Sequence, residues 1–420
     1  MCSCLMFVHR RFVMLLPKIH NSEITVVAFH TSKLLSRAKL KPGLIVPSCC
    51  QLEKCCTFIS YGRSSTVLPE FKRMGSFTSA PKILNDDTAD NDLLLQNVST
   101  WEDLHLRCQE ELSCLPPKIT RSFKNVKNSS QNTSDTLIRV MQWNVLSQAL
   151  AINTDKFVAC PLDALSWSTR RWRLLEEMVS CQPDILCFQE VDHYQFFKST
   201  LSPLGFRGVF YPKPDSPCFY IAENNGPDGC AIFINEDKFE LLDMKTRSLE
   251  VWGYQSNQVA LLCKLRRKSD DKVFWIATTH LKARQGPLLA TMRREQGKDL
   301  MDFIKVFSGN SPVILTGDFN ANPAEPVYKI VLNDDINPLD SAYRYLNNKR
   351  TEPAYTTWKI REDGEYCQTL DYIFFSRNSF EVSNLLQLPS CEDIGEGRVP
   401  SYKYPSDHFS LVADLDLSET

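Results

Sequence analysis

A carboxylate and a carboxamide two residues apart, Asp318 and Asn320, close an apolar run over 312–315 and stand just before Asn322 and Pro323. The run reads as a buried strand, and the turn residues stop it. At the end of a rigid strand, both groups are placed to face one polar site. A polar residue also closes apolar runs at Asn144, Glu190 and His280. Asp371 opens a further run, and Asp407 and His408 directly precede the last one. Carboxylates and imidazoles gathered in this way are the groups that move protons or hold a hard cation.

The elements that must position them follow in chain order. Alternation over 137–146 reads as a strand with Asn144 near its end. A helix is expected over 168–181, with Trp172, Leu175, Met178 and Val179 on one face and Ser168 or Thr169 as its cap. Pro183 and Asp184 stop it, and the strand over 185–190 finishes on Glu190. Strands over 229–234, 257–262 and 273–280 come next, the third ending in His280. A helix over 288–307 leads into the Asp318 strand, and strands over 370–375 and 409–415 complete the set. Strands that alternate with helices and with each other are the signature of an α/β sandwich.

The chain of 420 residues carries a formal charge of -2 and is 43% hydrophobic, enough for a large core in one or two domains. That balance supplies no general electrostatic reason to bind nucleic acid. Sixteen cysteines are scattered rather than clustered, several of them in apolar strands (Cys187, Cys230, Cys263), which suits a reducing compartment. The Cys49-Cys50 and Cys55-Cys56 pairs are followed by no cluster at zinc spacing. Residues 1–41 hold Arg10, Arg11, Lys18, Lys33, Arg37, Lys39 and Lys41 against a single acid, Glu23. This is the composition of a mitochondrial targeting segment, with a plain basic tail as the alternative. Its apolar patches are too short to span a bilayer. Residues 42–135 read mostly as disordered linker with a short helix near 101–112, and residues 136–418 as the folded domain that carries the candidate site.

In full order, Gln-Trp-Asn144, Phe-Gln-Glu190, Thr-His280, Gly-Asp318-Phe-Asn320, Leu-Asp371-Tyr-Ile and Ser-Asp407-His408 resemble the motif set of the exonuclease/endonuclease/phosphatase superfamily, deadenylase-like branch. The resemblance covers roughly two-thirds of the chain, and six ordered motifs make a chance match improbable. It implies a four-layer α/β sandwich like that of DNase I, two packed mixed sheets flanked by helices. It also implies a Mg²⁺-dependent phosphoesterase that removes the 2′-phosphate of NADP⁺ and NADPH, or else a poly(A)-specific 3′ exoribonuclease.

By the same resemblance, Glu190 holds the metal, Asn144 supports it, Asp318 activates water and Asn320 donates to a phosphoryl oxygen. Asp371 orients His408, and Asp407 and His280 complete a polar ring. Substrate contacts are expected from Glu190, Lys213, Pro214, Asp215, Asn257, Thr279, His280, Leu281, Lys282, Arg284, Asp318, Phe319, Asn320, Arg361 and His408. Cations among them could grip a dinucleotide's phosphates. No leucine-rich region precedes the catalytic segment, and no run of stacking aromatics in a basic groove is evident. A small dinucleotide is therefore expected over RNA, handled by a monomer in mitochondria with a cytoplasmic pool. A non-catalytic binding sandwich is the remaining alternative.

Overall fold

β-Branched, aromatic and leucine residues fill the runs marked as strands, and in the computed structural model those runs pair into two large sheets. The structure describes residues 98–126 and 137–418, apart from residues 223 and 334–336, together with four strands of two or three residues near the N-terminus. The chain divides into Met1–Lys72 and Arg73–Thr420. In the first unit Met6–Val8 pairs with Arg11–Val13, and Leu16–Pro17 with Ile24–Thr25. The rest of the expected targeting segment, and the expected linker up to residue 97, lie outside the described residues.

In chain order the strands of the second unit are β1 (Phe123–Asn125), β2 (Leu137–Asn144), β3 (Ile185–Gln189), β4 (Phe206–Pro212), β5 (Gly229–Asn235), β6 (Phe239–Val251) and β7 (Tyr254–Arg267). They continue with β8 (Val273–His280), β9 (Val313–Asp318), β10 (Leu339–Ser341), β11 (Thr357–Arg361), β12 (Gly364–Gln368), β13 (Asp371–Ser376), β14 (Phe380–Leu386) and β15 (Leu411–Leu417). The helices that cover them include α1 (Trp101–Glu111), α2 (Trp167–Cys181), α3 (Tyr194–Leu201), α4 (Pro287–Ser308) and α5 (Pro326–Leu332). One sheet has the order β1-β14-β15-β2-β3-β5-β4 and the other β6-β7-β8-β9-β13-β10, while β11 and β12 form a separate hairpin.

Each sheet holds one parallel pair, β2 with β3 and β8 with β9. Between the sheets lie Ile138, Val140, Ile185 and Ile232 from one face and Leu261, Ile276, Ile314 and Ile373 from the other. Each such buried side chain contributes about 1.5–3 kcal/mol. Helices α2 and α3 cover the outer face of the first sheet, where Met141, Trp143, Leu186 and Phe188 pack beneath Trp172, Leu175 and Phe197. On the second sheet, α4 and α5 set Leu300, Ile304 and Val327 over Ala277, Leu315 and Phe374. The result is helix, sheet, sheet, helix: the expected four-layer α/β sandwich.

Side-chain alternation turns the apolar core into a polar floor at one end. On β2, Val140 is followed on its own face by Gln142 and Asn144; on β8, Ile276 by Thr278 and His280; on β9, Ile314 by Thr316 and Asp318. Gln142 and Gln189 exchange amide hydrogen bonds of 2.6 and 2.8 Å, and Gln189 also donates to Thr278 Oγ1 at 2.8 Å. These polar rungs join the two sheets directly beneath the strand ends.

Two expectations need correction. The linker expected to run to residue 135 does not reach the sandwich as such, because residues 98–126 are built into it. Helix α1, the short helix expected near 101–112, carries a reciprocal cap between Thr100 and Asp103 and buries Leu104 and Cys108, and β1 adds an edge strand to β14. Lys118 and the buried Arg121 both pair with Glu177 of α2, at 2.8 and 3.0 Å. Those partners are far away in sequence, so local composition hides the docking. Helix α2 begins one residue earlier than expected, with Ser166 rather than Ser168 or Thr169 at its N-cap. Among the described residues no helix is long and apolar enough to cross a membrane.

Candidate active site

Register brings three of the strand-end groups side by side. His280 is the partner of Asp318 across the parallel β8–β9 pair, and Asp318 is the partner of Asp371 across β9–β13. From the other sheet, Asn144 at the end of β2 sets its amide between two acids, 3.0 Å from Glu190 Oε1 and 3.0 Å from Asp318 Oδ2. The close approach of β8 and β9 at this point depends on Gly317, since a Cβ there would stand 2.4 Å from the Thr279 carbonyl oxygen.

Glu190 itself lies just past β3 in a left-handed conformation, φ 58°. Such a backbone costs a non-glycine residue about 1–3 kcal/mol and must be held by its surroundings. Asn144 Nδ2 and the Ser147 backbone N–H, at 3.1 Å from Oε2, do so. The loop carrying Asp407 and His408 is anchored to β2 through Ser406 Oγ, which donates to the Asn144 carbonyl at 2.6 Å, and through Trp143 Nε1, which donates to the His408 carbonyl at 2.7 Å.

The catalytic-type groups then form a connected set. His408 Nδ1 meets Asp371 Oδ2 at 2.8 Å, while the Thr356 hydroxyl donates to the same oxygen at 2.6 Å. His408 Nε2 points to Asp318 Oδ2 at 3.7 Å, and His280 Nε2 reaches that oxygen at 3.6 Å. Burial pushes the Asp318 carboxyl up to about 6, aided by the charge of Asp371. For His408 burial opposes the charged form, yet the Asp371, Asp318 and Asp407 carboxylates prevail and lift it to about 9. His280 is driven the other way, well below its ordinary value, by burial and by the neighbouring Lys213 and His408 cations. It is the neutral imidazole of the pair, and its buried Nδ1 has no hydrogen-bond partner among the described residues.

Asp318, Asp371 and His408 place possible ligand atoms within 4.8 Å of one another. This trio makes a poor cation cage. His408 is held as imidazolium, and the carboxylate oxygens already accept from Asn144, the Asn320 backbone N–H, Thr356 and His408. Glu190 fits a hard divalent ion better, because it is only partly buried and a small octahedral cation keeps several waters beside one or two carboxylates.

The remaining expected contacts divide. Lys213 is buried close to the site but already paired with Asp228, and Arg361 pairs with Asp155 at 2.8 Å and leans on Asp407 at 3.5 Å. Lys282 is half-buried, and Arg284 and Pro214 are exposed. Four others do not present side chains to the cleft. Thr279 turns its hydroxyl to the Val259 carbonyl at 2.9 Å, and Leu281 and Phe319 lie in the core beneath α4 and α5. Asn257 bonds the backbone of Asp215 and fastens two loops together. The Asp215 carboxylate accepts from the Tyr220 hydroxyl at 2.6 Å. Asn320 sits at the site with its amide donating to the Leu281 carbonyl at 3.1 Å.

A family model described as the Endonuclease/Exonuclease/phosphatase family matches residues 141–408, the span that carries every one of these groups. The chain belongs to the endonuclease/exonuclease/phosphatase family. It is similar to nocturnin of Drosophila melanogaster, with 42% identity over 417 residues that take in 86% of this chain and 65% of that protein. It is also similar to nocturnin of Mus musculus, with 45% identity over 322 residues, 76% of this chain and 74% of that one. The solved human nocturnin catalytic domain, determined with a bound sulfate anion, superposes with a TM-score of 0.60 at 39% identity, covering 72% of this chain and 100% of that one.

Seen as a family site, the arrangement includes residues that sequence motifs leave out. Arg170 of α2 is fully buried and directs its guanidinium at carbonyls: Nε to Pro405 at 3.0 Å, Nη1 to Leu146 at 2.8 Å and Nη2 to Val145 at 2.9 Å. It thereby clamps the Asn144 loop to the Asp407–His408 loop. Lys359 is buried against Asp407, and Asp155 faces Arg361. Only the alternation of Thr357, Lys359 and Arg361 on β11 signals that the two cations share a face.

Proposed function

We propose that this chain is a divalent-metal-dependent phosphomonoesterase that removes the 2′-phosphate of NADP⁺ and NADPH, giving NAD⁺ and NADH. The observation that carries the reading is the convergence of two imidazole nitrogens on one carboxylate oxygen, His280 and His408 on Asp318 at 3.6 and 3.7 Å. One imidazole there is neutral and one charged. A water held at Asp318 can lose its proton to that carboxylate as it attacks phosphorus. The P–O bond to the ribose 2′-oxygen breaks, and the His408 imidazolium either protonates the departing oxygen or balances its charge. Water and the phosphomonoester thus give an alcohol and inorganic phosphate. The neutral His280 and Asn320 are donors for the phosphoryl oxygens, while Asn144 gives both amide hydrogens to Glu190 and Asp318 and holds those acids in place. A divalent cation on Glu190, for which the oxygen donors suit Mg²⁺, would polarise the phosphoryl group.

The dinucleotide is supported by similarity to the nocturnins and by the cations near the cleft, Lys213, Lys282, Arg284 and Arg361. The sulfate in the human relative is a tetrahedral dianion shaped like a phosphomonoester. Full-length protein with NADPH or NADP⁺ and Mg²⁺ should release inorganic phosphate, and chelator or Glu190→Gln should abolish it. A poly(A) oligonucleotide in the same tubes should stay intact. Its shortening, without phosphate release from NADPH, would transfer the assignment to the exoribonuclease reading.

We also propose that residues 1–41 direct part of the protein to mitochondria, leaving a cytoplasmic pool, and that the enzyme acts as a monomer. Their net basic, acid-poor composition motivates the first statement. Deleting residues 1–41 should move the mitochondrial fraction to the cytosol; an unchanged distribution would rule the segment out as the signal.

A further inference from the structure

Lys359 has no place in the chemistry described so far. The β11–β12 hairpin belongs to neither sheet, and an isolated bridge between Thr357 and His408 lays it across the site end. The Thr357 hydroxyl donates to the Asp407 carbonyl, which fastens that register. Two residues on, the same face of β11 delivers the Lys359 ammonium into the site. Its side chain is 9% exposed, it pairs with the Asp407 carboxylate, and its Nζ lies 3.3 Å from His408 Nε2. That imidazole nitrogen is the one facing the reactive oxygen of Asp318 at 3.7 Å.

An ammonium has three N–H donors. One goes to Asp407, and the protonated His408 Nε2 at 3.3 Å cannot accept another, which leaves two without an acceptor among the described residues. Burying a long cation beside an imidazole is costly, and a single carboxylate offsets it only in part. Arg361 shares that carboxylate at 3.5 Å, so two cations lean on one oxygen of Asp407. Arg361 has its nearer partner in Asp155 at 2.8 Å, so an arriving anion at this edge would meet the Lys359 ammonium and its remaining N–H donors.

We propose that Lys359 is a phosphoryl-binding residue that selects a terminal, dianionic phosphate over an internal, monoanionic phosphodiester. A phosphomonoester presents three non-bridging oxygens. One can lie towards Glu190, one towards His280 and Asn320, and the third at the Lys359 and His408 edge. In a diester that third position is an esterified oxygen with no charge, so the ammonium gains little from it. The inference rests on the phosphomonoesterase reading and deepens it by naming what makes the site reject a nucleic-acid backbone.

The test is direct binding, which does not depend on turnover of any one substrate. Inorganic phosphate, a dianion at pH 8, and dimethyl phosphate, a monoanionic diester, are titrated calorimetrically into full-length protein. Lys359→Met should weaken phosphate about tenfold or more, the scale of one charge-assisted hydrogen bond, and change dimethyl phosphate by less than about twofold. Lys359→Arg keeps the charge but not the compact Nζ position, and should weaken phosphate alone; it gives the answer should the methionine variant fail to fold. Equal losses for both anions, or no loss for either, would overturn the assignment. A wild-type protein that binds phosphate through Lys359 yet leaves NADPH untouched would defeat the dinucleotide reading and leave this one standing.

Discussion

Asp318→Asn should lower kcat on NADPH by about 10²- to 10⁴-fold, the usual contribution of a positioned general base, while KM moves only a few fold. The substitution keeps the size of the side chain and removes its ability to take a proton. Asp318 has no exposed surface to exchange roles with solvent: it is 1% exposed, with Oδ1 accepting from the Asn320 backbone and Oδ2 from Asn144. Its second oxygen is also the one on which both imidazoles converge. A drop of that size corresponds to about 2.7–5.5 kcal/mol of lost transition-state stabilisation. The loss should not arise from unfolding. The asparagine removes a buried charge that is costly to desolvate, which offsets the acceptor lost to Asn144 or the Asn320 backbone, so the melting temperature should stay close to wild type. Single-turnover kinetics with a melting curve for the same sample decide the matter, and a kcat within tenfold of wild type would remove Asp318 from the role of base.

The groups that this prediction uses are those most legible in the sequence. Asp318, His280, Asn144 and Glu190 each close an apolar run, and a run that ends on a polar residue marks a strand end in a two-sheet sandwich. The same logic, carried one residue further, excludes Thr279 and Phe319. Neighbours of an inward-facing strand residue point to the other face, and these two pack or bond there. Loop pairs such as Asn257 with Asp215 have no such rule, because which polar groups satisfy one another depends on how two loops meet. Arg170 and Lys359 are illegible for a related reason. Arg170 reads as one more polar residue of an amphipathic helix until its carbonyl partners, at positions as distant as 405, are in place. Lys359 owes its position to a bridge between β11 and a loop some fifty residues later. Segment 98–126 follows the same pattern, since Glu177 of α2, which pairs with Lys118 and Arg121, lies far from them along the chain.

Asp371→Asn should narrow the pH range of activity from its alkaline side, with little change on the acid side. In the wild type, kcat/KM on NADPH should rise as Asp318 loses its proton near pH 6, because only the carboxylate can accept one from water. It should fall again near pH 9, because only protonated His408 can supply a proton or a positive charge. The two groups face each other at 3.7 Å, so the limbs belong to the pair rather than to either residue alone. Burial by itself pushes His408 below its ordinary value, and the carboxylate of Asp371, 2.8 Å from Nδ1, is the largest of the forces that raise it. With an amide in that place the largest of the forces that oppose burial is gone, and the alkaline limb moves down from about 9. At pH 8 a larger share of molecules would then carry a neutral His408, and activity should fall by a matching share of the roughly 10²-fold or more that general acid help supplies. Stability shifts in the matching direction. A histidine whose folded value is raised contributes stability that is fully present below about 6.5 and is lost as pH climbs through about 9, so the variant should lose more of its melting temperature at pH 6 than at pH 10. An alkaline limb that stays near 9 in Asp371→Asn would show that the charge on His408 is not what the reaction needs, and would leave Asp371 a structural acceptor for Thr356.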